Sequence, residues 1–263
     1  MIQLIDTHAH LYVEQFDKDQ AAVLQRAYDA GVQKIFLPNI DSQHIDSLNQ
    51  LTEEYPQQCF PMMGIHPCSI KDDYQKELDR AYQELKRNPS RFAAIGEIGL
   101  DFYWDLTHKN EQIKALKMQI SWAKEFGLPI VLHCRDSFDE TFDIVESMND
   151  ENLRGIFHCF TGSTVDAERV IGLNGFYMGL GGVVTYKNSK ELSETIKNIS
   201  LKHFVLETDA PYLVPHTYRK KKHKRNESSF IVAVAEKIAE LKEVTLEEVA
   251  AITTQNAMQI FYN

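Results

Sequence analysis

Short apolar segments rich in β-branched residues recur along the chain, at intervals that leave room for a helix between them. A strand covered on both faces is made almost entirely of apolar residues, so each segment predicts a buried strand of a parallel sheet. The predicted strands lie at residues 2–5, 34–37, 60–64, 92–95, 129–132, 154–157, 175–180 and 203–206.

Segments of helical character separate these strands. Those at residues 20–30 and 110–126 are followed by a glycine, which suits the left-handed position past a helix end. Strands alternating with helices over about 210 residues fit a closed (β/α)₈ TIM barrel, of class α/β, better than an open sheet. A C-terminal helical extension of two helices follows, and Thr245 with Glu248 forms a capping-box signature at the start of the second.

Composition narrows the class of protein. With 263 residues, 43% of them hydrophobic, the chain can bury one large core, so residues 1–263 are predicted to form a single domain. No signal peptide and no apolar run of the ~18 residues that cross a bilayer is recognised, which predicts a cytoplasmic protein without a membrane partner. The cysteines show no CxxC pairing and are expected to be reduced thiols.

Residues that can ligate a metal lie where the predicted strands end. His8 and His10 follow the first strand at a spacing that points both side chains the same way. A histidine pair alone is as compatible with ordinary hydrogen bonding as with metal binding. The positions of further candidate ligands therefore decide between these two roles. Polar residues at or just past the fourth, fifth, sixth and eighth strands supply that context. The candidate metal ligands are His8, His10, Glu97, His133, His158 and Asp209.

These six side chains are expected to converge, because the C-terminal ends of the strands carry the active site of a TIM barrel. Polar groups buried there without partners would each cost about 1 to 3 kcal/mol, which disfavours six independent structural roles. A mixture of imidazoles and carboxylates suits Zn, Mn, Co or Fe, whereas a site for Mg alone would favour oxygen. One or two divalent ions are expected as cofactors, and Zn, Mn, Mg and Co remain open.

Six short motifs stand in order along nearly the whole chain. They are DTHAHL at 6–11, GIHP at 64–67, GEIGLD at 96–101, HCRDS at 133–137, FHCFTG at 157–162 and ETDAPYL at 207–213. In these motifs the chain resembles the TatD family of metal-dependent deoxyribonucleases. Cys68 after GIHP and Ser228 in RNESS depart from the usual family pattern, and neither is a proposed ligand.

The resemblance implies a TIM barrel with a divalent site. Glu97 would bridge two ions, with His8 and His10 on one and the histidines of the later strands, His133 and His158, on the other; Asp209 would complete the site. It also implies 3′-to-5′ exonuclease action on DNA, at a single strand or a free 3′ end, with a role in DNA repair or turnover.

Hydrolysis of a phosphodiester by a metal-activated water is the predicted reaction, since two ions about 3.5 to 4 Å apart meet its needs. Asp209 is the preferred general base, because a carboxylate beside a cation stays ionised. Glu207 is the reserve base and could instead orient a ligand, since it lies two residues before Asp209. With Glu97 these residues form the predicted catalytic group.

Four residues are predicted to bind substrate. His66 ends the third strand and is a donor to phosphate, and Arg135 offers a planar fork two residues beyond His133. Arg225 and Asn226 belong to the family motif RNESS. Arg225 is also the last residue of the basic run RKKKHKR at residues 219–225, which stands out on a chain of net charge −10. This run is either a docking site for DNA or a solvated loop.

Two other functions remain open. An amidohydrolase-like barrel would use the same ligands to cleave an amide, ester or lactone, because a metal-activated water attacks carbonyl carbon as readily as phosphorus. A metal-binding module without turnover would also explain the ligands. DNA is the preferred partner because of the basic run and the motifs, RNA and aminoacyl-tRNA stay open as substrates, and no obligatory protein partner is inferred.

Overall fold

The computed structural model describes residues 2–104 and 106–262. Its strands are β1 (Leu4–Asp6), β2 (Val32–Pro38), β3 (Cys59–Met62), β4 (Ile95–Asp101), β5 (Ile130–Arg135), β6 (Gly155–Phe157), β7 (Phe176–Leu180) and β8 (Phe204–Leu206). Its α-helices are α1 (Gln20–Asp29), α2 (Ile45–Glu54), α3 (Tyr74–Arg87), α4 (Lys109–Phe126), α5 (Phe138–Met148), α6 (Thr164–Gly172), α7 (Lys190–Asn198), α8 (His216–Lys220), α9 (Ile231–Lys242) and α10 (Leu246–Tyr262).

The strands close into a parallel barrel. β1 to β3 form one run of paired strands and β4 to β8 form another. Between β3 and β4, the amide of Met63 donates to the carbonyl of Ala94 at 3.1 Å, and between β8 and β1, the amide of Thr7 donates to that of Leu206 at 3.0 Å. These two seams complete the ring, so the predicted (β/α)₈ barrel is confirmed.

The fourth strand differs most from its predicted position. The apolar run at residues 92–95 predicted a strand there, whereas β4 begins at Ile95 and continues through Asp101. Glycines and Glu97 break the apolar pattern, but pairing with β5, such as that of Gly99 with His133, keeps this stretch extended. Glu97 therefore lies inside β4 and His133 inside β5, rather than after or at the ends of these strands.

An apolar layer fills the N-terminal end of the barrel, and α10 covers it. Phe261 of this helix stacks on Phe36 with ring centroids 3.7 Å apart. With that end closed, the polar interior positions lie towards the C-terminal ends of the strands. The side chains that the strands contribute to the layer include Ile5, Phe36, Met62, Val131, Ile156 and Val205.

The C-terminal extension consists of α9 and α10, as predicted. The hydroxyl of Thr245 accepts a hydrogen bond from the amide of Glu248 at 3.1 Å, which is one half of the predicted capping box. Gly127 ends α4 with a φ of 67°, in the left-handed region expected of it. Of the helices in the described part of the chain, none is both long and apolar enough to span a membrane.

Candidate metal centre

Alternation along the strands carries the polar side chains to the C-terminal side of the apolar layer. Val131 belongs to that layer, and His133 follows it by two residues on the same face of β5. The same step of two leads from Ile156 to His158, and from Val205 to Glu207 and Asp209.

Glu97 lies at the centre of the cluster, 2% exposed; its Oε2 faces two histidines and its Oε1 faces three, the third being His66 at 3.4 Å. Oε2 is 3.1 Å from His8 Nε2 and 3.4 Å from His10 Nε2. Oε1 is 2.8 Å from His133 Nδ1 and 3.7 Å from His158 Nε2. Burial by itself raises the pKa of Glu97, but the surrounding histidines hold this pKa well below its usual value. An ionised carboxylate with one oxygen towards each histidine pair is the arrangement that a bridging ligand needs.

Tyr12 sets the orientation of His10. Its hydroxyl donates to the carbonyl of Pro38 and lies 3.1 Å from His10 Nδ1. Because the hydroxyl has only one proton to give, it accepts from Nδ1, and the lone pair of His10 sits on Nε2, facing Glu97. Tyr12 was not among the residues predicted from the sequence, although its place two residues after His10 was the available signal.

Two buried carboxylates hold the other histidines from behind. Asp101 Oδ2 is 3.0 Å from His133 Nε2, which leaves Nδ1 towards Glu97. Glu207 Oε1 is 2.9 Å from His158 Nδ1, which leaves Nε2 towards the cluster. Burial lowers the pKa of His158, but the nearby carboxylates, Glu207 first and then Glu97 and Asp209, more than offset this and raise it to about 10. Outer carboxylates of this kind fix which ring nitrogen is available to a metal.

Asp209 reaches the cluster from the loop after β8. Its Oδ1 is 3.6 Å from His10 Nε2 and 3.9 Å from His8 Nε2. Its φ of 56° lies in the left-handed region, where non-glycine residues are uncommon and functional residues are over-represented. A hydrogen bond of 2.8 Å from its amide to the carbonyl of His8 holds it there. Burial raises the pKa of Asp209 to about 6, which suits a group that exchanges protons near neutral pH.

The donor set fits divalent ions. Ligand atoms of His8, His10 and Glu97 lie within 4.8 Å of one another, and so do those of His8, His158 and Asp209. Nε2 of His8 is only 3.2 Å from Nε2 of His10, whose lone pair points inwards, and two carboxylates face the same space. A cation satisfies such converging acceptors together, and imidazole with carboxylate suits Zn, Mn or Co.

His66 and Arg135 line the same cavity, of about 680 Å³, as the candidate ligands. Nδ1 of His66 accepts from the amide of Cys68 at 3.0 Å, so its proton is on Nε2, 3.4 Å from Glu97 Oε1. His66 is thus a donor at the cavity wall. The guanidinium carbon of Arg135 lies 4.0 Å from the centroid of the Tyr103 ring, at the cavity edge.

Arg225 and Asn226 have other contacts, and neither is among the described residues that line this cavity. Arg225 makes two hydrogen bonds to Asp19, of 2.8 and 2.7 Å. Asn226 is fully buried, donates to the carbonyl of Thr208 at 2.8 Å and accepts from the amide of Glu227 at 3.0 Å. These contacts fasten the chain after β8, and the predicted contact of both residues with substrate stays a prediction. A separate open recess of about 810 Å³ is lined by Arg225 together with Lys222, His223 and Lys224 of the basic run.

Comparison with known proteins agrees with this geometry. The family model described as TatD related DNase matches residues 5–262. The uncharacterized metal-dependent hydrolase YabD of Bacillus subtilis (strain 168) is 41% identical over 258 residues, covering 98% of each chain. A 3′-5′ ssDNA/RNA exonuclease TatD of Rahnella sp. (strain Y9602) is 31% identical over 254 residues, covering 96% of this chain and 95% of that protein. The crystal structure of YJJV, a TATD homolog from Escherichia coli k12, superposes with a TM-score of 0.91 at 30% identity, covering 99% of this chain and 98% of that one.

Proposed function

Since the chain belongs to the family of TatD related DNases and is a metal-dependent hydrolase, we propose that it cleaves the phosphodiester bonds of DNA from the 3′ end of a single strand. The observation that carries this proposal is Glu97, with one carboxylate oxygen for each histidine pair. Two bound ions would supply an activated water and would stabilise charge on the attacking and leaving oxygens.

Asp209 is the proposed proton acceptor. Its carboxylate lies beside His8 and His10 and remains 15% exposed to the cavity, where a substrate phosphate would enter. Glu207 is fully buried, and its Oε1 already accepts from the amide of Cys159 at 2.6 Å while facing His158. Glu207 is therefore proposed as a positioning residue for His158 rather than as the base.

The substrate phosphate is proposed to meet two donors at the cavity wall. His66 would turn its Nε2 proton, which faces Glu97 and His133 in the structure, to a phosphate oxygen, and Arg135 would offer a planar fork that matches two phosphate oxygens. The chain has a net charge of −10, so a polyanion needs such local donors. The basic residues 219–224, which precede Arg225, are proposed to give further contacts along the strand.

Release of nucleotides from labelled DNA tests the function. Single-stranded and duplex DNA, and RNA of the same sequence, are incubated with Mg, Mn, Zn or Co, beside a panel of amide, ester and lactone substrates. We expect stepwise shortening of single-stranded DNA from its 3′ end. An Asp209→Asn enzyme that keeps its metal should lose about 10²- to 10⁴-fold in turnover, the usual contribution of a general base. Asp79→Asn, which changes an exposed aspartate of α3, is the matched control.

Three outcomes would contradict the proposed nuclease function or the role of Asp209 in it. Turnover of amides or lactones with DNA left intact would favour the amidohydrolase-like alternative. Stoichiometric metal binding without turnover of any substrate would favour a binding module. Full activity of Asp209→Asn would remove Asp209 from the proton-transfer step.

A further inference from the structure

Two exposed aromatic side chains stand on opposite sides of the cavity mouth. Trp104 is 67% exposed and Tyr212 is 50% exposed, yet both line the cavity that holds the candidate ligands. Trp104 follows β4, and Tyr212 follows β8. In a closed ring of eight parallel strands these positions are half a turn apart, so the two rings flank the metal centre from opposite directions.

Both aromatic residues are fastened to segments that carry ligands. Asp101 Oδ1 accepts from the amides of Tyr103, at 3.1 Å, and Trp104, at 3.0 Å, while its other oxygen faces His133. Across the mouth, the amide of Tyr212 donates to the carbonyl of Asp209 at 2.8 Å. The backbone at Trp104 and Tyr212 therefore keeps a set position relative to the candidate metal centre.

A cation lies beside one of these rings. The guanidinium carbon of Arg135 is 4.0 Å from the ring centroid of Tyr103 and 5.1 Å from that of Trp104. Stacking on aromatic faces holds the planar fork of an arginine while leaving its edge free for phosphate. Aromatic faces next to a phosphate-binding cation are the combination that binds unpaired nucleotides in single-strand-binding proteins.

We propose that Trp104 and Tyr212 stack on unpaired nucleobases on either side of the scissile phosphate, so that the site selects single strands. This inference rests on the proposed function. Bases in a duplex are already stacked and paired, and extruding them costs free energy, whereas a single strand offers its base faces directly. Removal of one stacking ring is expected to weaken binding about 5- to 150-fold.

Tryptophan fluorescence gives a direct readout. The chain has two tryptophans, and the other, Trp122, is only 6% exposed. Metal-loaded protein is titrated with a ten-nucleotide single strand made resistant to cleavage by phosphorothioate linkages, and with an abasic strand of the same length and linkages. We expect quenching by the first strand only. Trp104→Phe should abolish this quenching, and the matched variant Trp122→Phe should retain it. Equal quenching by the abasic strand, or quenching that survives Trp104→Phe, would overturn the proposal.

Cleavage kinetics separate this inference from the proposed function. Trp104→Ala and Tyr212→Ala should raise KM for single-stranded DNA by about 5- to 150-fold with a smaller change in kcat, and should leave cleavage of an abasic strand with ordinary phosphodiester linkages unchanged. Tyr28→Ala, which removes a 57% exposed ring on α1, is the control. If the protein cleaves intact and abasic strands equally well and both variants behave as wild type, the stacking proposal fails and the nuclease function stands. If bases quench Trp104 but no strand is cut, the nuclease function fails and the stacking site stands.

Discussion

Replacing Asp101 with asparagine is expected to reverse the tautomer of His133. Oδ1 of this 1% exposed aspartate accepts from two backbone amides, so the single carbonyl oxygen of asparagine should stay on that side. The asparagine NH₂ group would then face His133 Nε2, 3.0 Å away in the wild type. Because two donors cannot share a hydrogen bond, Nε2 must lose its proton and Nδ1 must gain it.

The expected loss of metal affinity in Asp101→Asn follows from the position of Nδ1 of His133. It lies 2.8 Å from Glu97 Oε1, so a proton there removes a lone pair from the candidate metal centre. Loss of the outer partner of a metal ligand commonly lowers affinity 10- to 100-fold, which is about 1.4 to 2.8 kcal/mol. The fold should lose about 1.5 to 3 kcal/mol at most, the contribution of a charged hydrogen bond, because asparagine has the same shape and keeps the two amide contacts.

Competition with a chelator measures the affinity for Zn or Mn, and nitrogen NMR of the histidine rings reads the tautomer. Asp41→Asn is a matched control, because Asp41 also accepts from two backbone amides and lies 2.6 Å from a ring nitrogen of His44, outside the candidate ligand set. Unchanged metal affinity in folded Asp101→Asn would refute the idea that this carboxylate sets the tautomer of His133.

Three further predictions concern the surroundings of the centre. Gly179→Ala would place a Cβ 2.2 Å from Glu207 Oε2 and displace that carboxylate, so metal affinity should fall; Gly172→Ala, which meets nothing within 4 Å, should leave it unchanged. Arg225→Ala should leave turnover per folded molecule unchanged and, since Asp19 is 37% exposed, should cost less than about 1 kcal/mol in urea unfolding at pH 7. The hydrogen bond from Arg225 lowers the pKa of Asp19, so the part of the cost that this pair contributes is present above the unfolded pKa and is lost as pH falls through the folded one; an equal cost at pH 7 and pH 2 would contradict it. Neutralising the lysines of the basic run should make binding of a single strand less sensitive to salt. The slope of the logarithm of the binding constant against the logarithm of salt concentration should flatten by up to about 0.7 for each phosphate that the protein no longer neutralises, and an unchanged slope would favour a solvated loop. These lysines are Lys220, Lys221, Lys222 and Lys224.

The positions of the strands could be predicted because a buried parallel strand must be apolar on both faces, and the runs of the sequence met that condition. β4 is the exception, since Gly96, Glu97 and Gly99 break the apolar run while pairing with β5 keeps the backbone extended. The pattern of apolar residues predicts a strand least well where the chemistry of the site requires polar residues in that strand. The strand that the pattern misplaced is the one that carries Glu97.

The candidate ligands could be selected from the sequence because strand ends converge in a barrel, but their partners could not. Which nitrogen of His10 faces inwards depends on the hydroxyl of Tyr12 and the carbonyl of Pro38 beyond it. The motif that singled out Arg225 and Asn226 likewise did not reveal their contacts with Asp19, Thr208 and Glu227, and their substrate contacts stay a prediction. A motif marks a residue as constrained, and only its surroundings distinguish a constraint of binding from one of folding.

The two ends of the barrel differ in polarity, and burying carboxylates at the C-terminal end costs free energy of folding. One end is filled with apolar side chains, while the other gathers the buried carboxylates of Glu97, Asp101 and Glu207 and the partly buried carboxylate of Asp209. Asp101 and Glu207 each face a histidine, whereas burial raises the pKa of Asp209 to about 6, so its charged form is disfavoured there. A divalent ion that binds only the folded chain offsets such a cost, by about 2.7 kcal/mol when its concentration is a hundred times Kd. The melting temperature should therefore rise with added Zn or Mn, and it should rise less in Asp101→Asn, because the same residues that tune the ligands determine how strongly metal binding stabilises the fold.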